Sequence, residues 1–194
     1  MSLAIVILAA GASSRMRGRD KLFESVGGTP ILMRLVHFAQ DCGDVYVTLP
    51  DLDHPRHNLL KGTQAVPIYV PDAADGMSAS IKRACAAVSE TSAKGMMILT
   101  GDLPDLTAAH FAQICAEWAK DQTCYIQAKD QDGKPGHPVI IPKSGWGDIE
   151  TLQGDIGLRN ILREKHIEYV SFQDYGPTLD LDTPEAWDAW RAAR

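Results

Sequence analysis

The chain has 194 residues, 45% of them hydrophobic and 23% charged, which fits one globular domain over residues 1–194 and excludes a disordered or fibrous chain. Its 25 acidic against 19 basic residues leave a formal net charge of −6, which argues against nucleic acid or an anionic membrane surface as a partner. No apolar run reaches the ~20 residues of a membrane span, and the apolar start from Leu3 lacks the basic flank of a cleaved signal peptide, so the expected compartment is the cytoplasm.

The first predicted element is a buried strand over residues 4–9. It breaks into a loop of small residues, Gly11-Ala12-Ser13-Ser14, followed by Arg15, Arg17, Arg19 and Lys21. Small residues let backbone N–H groups approach an anion, and the cations supply countercharge. That is how a phosphate-rich ligand is held at the end of a parallel strand. The loop is neither Gly-x-Gly-x-x-Gly nor Gly-x-x-x-x-Gly-Lys-Ser/Thr, so a different phosphate binder is predicted.

Pro30 opens a predicted helix over 31–41, and a strand over 45–49 follows. Residues 51–63 form a polar connection in which His54 and His57 read as solvated. A strand over 68–70 leads through Asp72, Asp75 and Gly76 into a helix over 78–88. Ser78 and Ser80 stand near its N-terminus, where free N–H groups favour anions or polar base edges; Ser78 taken alone reads as the N-cap. The next strand, 96–100, ends in Gly101-Asp102-Leu103-Pro104. Ligands collect at the carboxyl ends of strands in open α/β sheets, and the Asp102 carboxylate there is a hard oxygen donor suited to Mg²⁺. Asp105 is the better candidate to close or cap the turn before the helix over 108–120, which starts after Thr107.

Strands over 125–128 and 139–141 lie close together around Gly133 and Gly136 and predict an antiparallel excursion. His137, between Gly136 and Pro138, cannot sit in a regular helix and reads as displayed. Gly154 and Gly157 mark backbone of unusual dihedrals, and Arg159, on a helix over 156–164, is within reach of an anion beside Asp155. After a strand over 168–171, Asp180 and Asp182 share one face of an extended segment, opposite Leu179 and Leu181. Two carboxylates on one face are tolerable beside a cation. Thr183-Pro184 starts the last helix, 184–194, with Trp187 and Trp190 read as core. The four cysteines include no Cys-x-x-Cys pair and read as small hydrophobes of a reducing compartment. Strand–helix alternation of this kind predicts a three-layer α/β/α domain with a mostly parallel, mixed central sheet.

Leu8-Ala9-Ala10-Gly11-Ala12-Ser13-Ser14-Arg15-Met16 with Lys21, then the segments 75–80, 101–104, 136–139, 154–159 and 180–185, resemble in order the MobA-like nucleotidyltransferases. The molybdenum cofactor cytidylyltransferases are the branch they most resemble. The resemblance implies a Rossmann-like nucleotidyltransferase fold and a Mg²⁺-dependent transfer of a nucleotide from an NTP to a molybdopterin-type phosphate, with release of pyrophosphate. It implies that Leu8, Ala9, Ala10 and Gly11 hold base and sugar, that Arg15 and Lys21 bind phosphates, and that Asp72 or the Gly76 to Ser80 loop contacts the base. Asp102, joined by Asp182, would hold the metal, while His137, Asp155, Arg159 and Asp180 would face the acceptor. Within the family, Leu-Ala-Ala-Gly accompanies cytidine users and Leu-Ala-Gly-Gly guanosine users, so Ala10 implies CTP. A molybdoenzyme or its maturation factor is a further implied partner. Two positions depart from the pattern: Arg17 stands where Gly more often follows Met, and Ala186 where an acidic residue is usual. Three alternatives stay open: a GTP-using guanylyltransferase, a sugar-1-phosphate nucleotidyltransferase, and a non-catalytic nucleotide- or cofactor-binding maturation protein. Retention of both Asp102 and Asp182 speaks against the last.

Overall fold

The computed structural model describes residues 2–194. Strand β1 (Leu3–Leu8) is apolar throughout because helices cover both its faces. Leu3, Ile5 and Ile7 point into one core, Ala4 and Val6 into the other, as the two-residue period of a strand requires. The chain then makes a short antiparallel ribbon that was not expected, β2 (Ser25–Val26) and β3 (Thr29–Pro30). Its turn is Gly27-Gly28, both at positive φ, the combination that a tight hairpin needs.

Helix α1 (Ile31–Gln40) leads to β4 (Asp44–Leu49), which pairs with β1 in parallel, and β5 (Val66–Tyr69) lies outside β4. Helix α2 (Met77–Ser89) returns the chain to β6 (Gly95–Thr100), parallel to β1 on its other side. Helix α3 (Ala108–Lys120) precedes β7 (Tyr125–Lys129) and β8 (Pro135–Pro142); β8 is antiparallel to both β6 and β7. The helices α4 (Trp146–Ile149) and α5 (Arg159–Arg163), the strand β9 (Ile167–Ser171) and the helix α6 (Pro184–Ala192) complete the chain. The sheet runs β5-β4-β1-β6-β8-β7-β9, with β8 its antiparallel member, so the mixed α/β fold expected from the alternation is what forms.

One core packs α1, α3 and α6 on the sheet, with Phe111, Trp118 and Trp187 wholly buried. The other packs α2, α4 and α5. Each such apolar side chain contributes about 1.5–3 kcal/mol by leaving water.

The predicted elements differ from the observed ones where backbone conformation intervenes. The helix expected over 156–164 starts only at Arg159, because Gly157 is left-handed at φ 59° and cannot lie in an α-helix. Asp105 does not cap α3. Thr107 and His110 cap it reciprocally, while Asp105 accepts from Trp190 Nε1 at 3.0 Å and pairs with Arg194. Ser78 does not cap α2 either: the N-cap is Gly76. Trp187 is core as expected, and Trp190 is half-buried against it.

Candidate active site

The chain leaves β1 for β4 on one side of the sheet and later returns to β6 on the other, which opens a crevice at the carboxyl ends of β1 and β6. A cavity of about 500 Å³ lies there. Leu8 through Arg15, Lys21, Gly76, Met77, Ser80, Thr100, Gly101, Asp102, Asp155 and Asp182 line it, among others. Leu8 and Thr100 are register partners, and Gly101 N–H donates to Leu8 O at 3.0 Å, which joins the two strand ends as its floor. A Cβ on Gly101 would stand 3.2 Å from the Leu22 side chain and 3.3 Å from Leu8 O, tight enough that the neighbours would have to give way by a few tenths of an ångström.

Three carboxylates meet at one end. Asp102, Asp180 and Asp182 each offer an oxygen within 4.8 Å of the others. The Lys21 ammonium bridges two of them, donating to Asp102 Oδ2 at 2.5 Å and to Asp182 Oδ1 at 2.7 Å. Arg15 lies 2.8 Å from the other Asp182 oxygen. Burial pushes the Asp102 carboxyl up, but the adjacent Lys21 charge and its hydrogen bond outweigh that and hold it below the usual carboxylate value. Burial likewise depresses the Lys21 ammonium, and Asp102 with Asp182 more than restores it, so it lies above its ordinary value. Asp180 moves the other way: burial and then the charges of Asp102 and Asp182 raise it. Asp102 Oδ1 is buried with no hydrogen-bond partner. An unpaired buried carboxylate oxygen beside two more carboxylates is a donor set that suits a hard divalent cation.

His137 is half-buried rather than displayed. Its Nδ1 stands 3.3 Å from Ile98 O on β6, and burial lowers its pKa against the opposing pull of that carbonyl and of Asp102 and Asp180. It therefore adjoins the acidic group without lining the cavity. Asp72 and Arg159 are not drawn in. Asp72 is paired with Arg83 Nε at 2.6 Å, and Arg159 is exposed at the start of α5.

Three features of the site escaped the sequence. The first is a latch between distant loops: Met77 N–H donates to Asp155 Oδ1 at 3.1 Å and Ser78 N–H to Gly154 O at 3.0 Å. The start of α2 is thus capped from a loop some 80 residues further on. Gly76, at φ 105°, is where the two backbones touch; a Cβ there would lie 2.6 Å from Gly154 C. The second is the backbone of Arg17, which takes the left-handed conformation at φ 52°, its side chain paired with Glu185 at 2.7 Å. The third is Arg56, 1% exposed although it sits in the stretch read as a polar connection. His54 accepts from Arg56 N–H, Pro55 follows the cap, and the resulting 3₁₀ turn (Pro55–Leu60) drives the guanidinium under the loop after β1. A short turn signal, His-Pro before Arg, was present, but no local pattern says that this arginine turns inward.

A probable molybdenum cofactor guanylyltransferase of Nostoc sp. (strain PCC 7120 / SAG 25.82 / UTEX 2576) is 30% identical to the chain over 119 residues, 61% of this chain and 52% of that protein. The chain spans about half the length of that relative. The purine catabolism protein PucB of Bacillus subtilis (strain 168) is 26% identical over 200 residues, covering 97% of this chain and 95% of PucB. The solved structure of Rv0371c from Mycobacterium tuberculosis H37Rv superposes with a TM-score of 0.80 at 24% identity over 98% of each chain. Its complex with manganese superposes at 0.78 and 22% over all of both chains. Identities this low support the fold alone. The MobA-like NTP transferase domain itself matches residues 5–169, from the first strand of the sheet to its last. On that match the chain belongs to the MobA-like NTP transferase family.

Proposed function

We propose that the protein is a nucleotidyltransferase, dependent on a divalent cation, that moves a nucleoside monophosphate from an NTP to the phosphate of a molybdopterin-type acceptor. The observation that carries this reading is the meeting, in one cavity, of a small-residue loop and two cations with the carboxylates Asp102 and Asp182. An oxygen of the acceptor phosphate forms a bond to the α-phosphorus while the bond to the β-phosphate oxygen breaks, and pyrophosphate leaves. Such a reaction needs charge neutralisation and in-line positioning more than covalent help.

In this reading the backbone of Leu8, Ala9, Ala10 and Gly11 holds base and sugar, Gly76 and Ser80 line the base end, and Arg15 and Lys21 grip phosphates. Asp102 and Asp182 hold Mg²⁺, which when bound would draw negative charge from the reacting phosphates; the unpartnered Asp102 Oδ1 fits that role. His137 and Asp180 adjoin the same carboxylates, which supports an acceptor site at that end. A relative named for guanylyl transfer favours GTP, whereas Ala10 in the Leu-Ala-Ala-Gly motif favours CTP. One methyl group decides only about 1–3 kcal/mol in a pocket, so both bases are tested.

The experiment is pyrophosphate release with CTP, GTP, ATP and UTP, each with and without Mg²⁺, and with molybdopterin, a sugar 1-phosphate or no acceptor. Release that needs molybdopterin, Mg²⁺ and one of CTP or GTP supports the proposal. Release only with a sugar 1-phosphate, or nucleotide binding without turnover, overturns it. Asp102→Asn is expected to cut turnover on the order of 10³-fold, equivalent to several kcal/mol of charge stabilisation, with circular dichroism unchanged.

A further inference from the structure

We infer that Arg56 is the positioning residue that turns the nucleotide loop inside out, its carbonyls held behind and its N–H groups presented to the ligand. All five guanidinium N–H donors are used. Nη1 donates to Ala9 O at 2.6 Å and to Gly11 O at 2.7 Å; Nη2 donates to Ser13 Oγ at 3.0 Å and to Asp20 Oδ1 at 2.8 Å; Nε donates to Asp20 Oδ2 at 2.7 Å. Arginine is the one side chain with five donors in a rigid planar fork, so lysine cannot reproduce the set.

The consequence follows from peptide geometry. In a trans peptide unit the C=O of one residue and the N–H of the next point in opposite directions. Drawing Ala9 O and Gly11 O toward Arg56 turns the N–H groups of Ala10 and Ala12 away from it, toward the side that lines the cavity. Among the described residues, no carbonyl or side chain accepts from either N–H. Free N–H groups turned to one side at a strand end offer donors to an anion. Ser13 completes the bend in a left-handed conformation, φ 50°, which a serine holds only where its surroundings enforce it.

Arg56 acts on the cationic side through Asp20. That carboxylate accepts two of the guanidinium bonds and also the Leu22 N–H at 3.0 Å, which caps the 3₁₀ turn (Lys21–Phe23). Burial pushes Asp20 up, while Arg56 and the Leu22 amide more than offset it and hold its pKa low. One buried guanidinium therefore sets both the N–H groups of the loop and the turn that carries Lys21. Arg56 itself does not line the cavity, so it acts through the loop.

The inference rests on the reading that this loop holds an NTP, and the test separates the two. Backbone ¹⁵N relaxation is measured for Ala10 to Ser13 in the wild type, R56K and R56M, together with CTP and GTP affinity and steady-state kinetics with Mg²⁺. In the wild type the loop order parameters are expected near the rigid value of about 0.85, and in R56M below about 0.6, with β1 unchanged. R56M is expected to weaken nucleotide binding and raise KM by about 10–100-fold with a smaller change in kcat, since Arg56 touches no reacting atom. R56K is expected in between, and it carries the test if R56M does not fold. Unchanged loop order in folded R56M or R56K overturns the inference, as does wild-type KM. If the wild type binds no NTP, the proposed function fails, and the relaxation data still decide the role of Arg56.

Discussion

At the scale of single residues the acidic end of the cavity is a standing electrostatic conflict. Three carboxylates share a space that two cations, Lys21 and Arg15, only partly neutralise, and Asp180 carries the remainder as a raised pKa. A carboxyl whose pKa is raised on folding makes stability fall as pH rises from its unfolded value toward its folded one. Asp180→Asn is therefore expected to raise the melting temperature of the ligand-free protein at pH 7, by a small amount because Asp180 is exposed and solvent screens the repulsion. The same change should weaken Mn²⁺ binding measured by electron paramagnetic resonance. An unchanged melting temperature would show that Asp180 is not under repulsion. Asp180 and Asp182 were legible in the sequence as two carboxylates on one face. That Lys21 bridges Asp182 to Asp102 was not, because the three come from distant parts of the chain.

Among the elements, α2 carries the most information about the cavity. Its N-terminus is completed by Gly154 and Asp155, so the start of α2, which contributes Met77 to the lining, is latched to the loop that contributes Asp155. Gly76→Ala would place a Cβ against Gly154 on a backbone that only glycine adopts without strain. It is expected to open the latch and raise the nucleotide KM by roughly tenfold, the order of effect of a small misplacement near a bound ligand. Wild-type kinetics in that variant would show that the latch has no part in binding. The strands and long helices around α2 were readable from periodicity and from start signals such as Pro30, Thr107 and Thr183-Pro184. The latch was not, since an N-cap supplied by a remote loop leaves no mark on the helix's own sequence.

For the whole molecule, the ionisable groups around the crevice predict a stability curve with two opposing acid-side trends. Asp102 and Asp20 lie below the ordinary value of 3.8, so their contribution is present above it and is lost as pH falls through their depressed values. Asp180 lies above 3.8, so protonating it restores stability as pH falls from neutral toward 3.8. His137, held below 6.5, acts the other way and loses stability as pH falls below that value. The melting-temperature difference between Asp180→Asn and the wild type should therefore shrink as pH falls from neutral toward 3.8. Lys21, raised from 10.5, adds stability that is fully present below 10.5 and is lost as pH climbs above it. A difference between the two proteins that stays constant from pH 7 to 3.8 would contradict the Asp180 assignment.

By itself the sequence determined the alternation of strands and helices, the cationic loop after β1, the strand-end Asp102 and the paired Asp180 and Asp182, because each is written in neighbouring residues as a periodicity, a composition or a spacing. Only the tertiary structure decided that Lys21 ties Asp102 to Asp182, that Asp155 closes the start of α2, and that Arg56 turns under the nucleotide loop. Those contacts join residues 36 or more positions apart. Their geometry follows from which strands lie side by side, and no short stretch of chain encodes that.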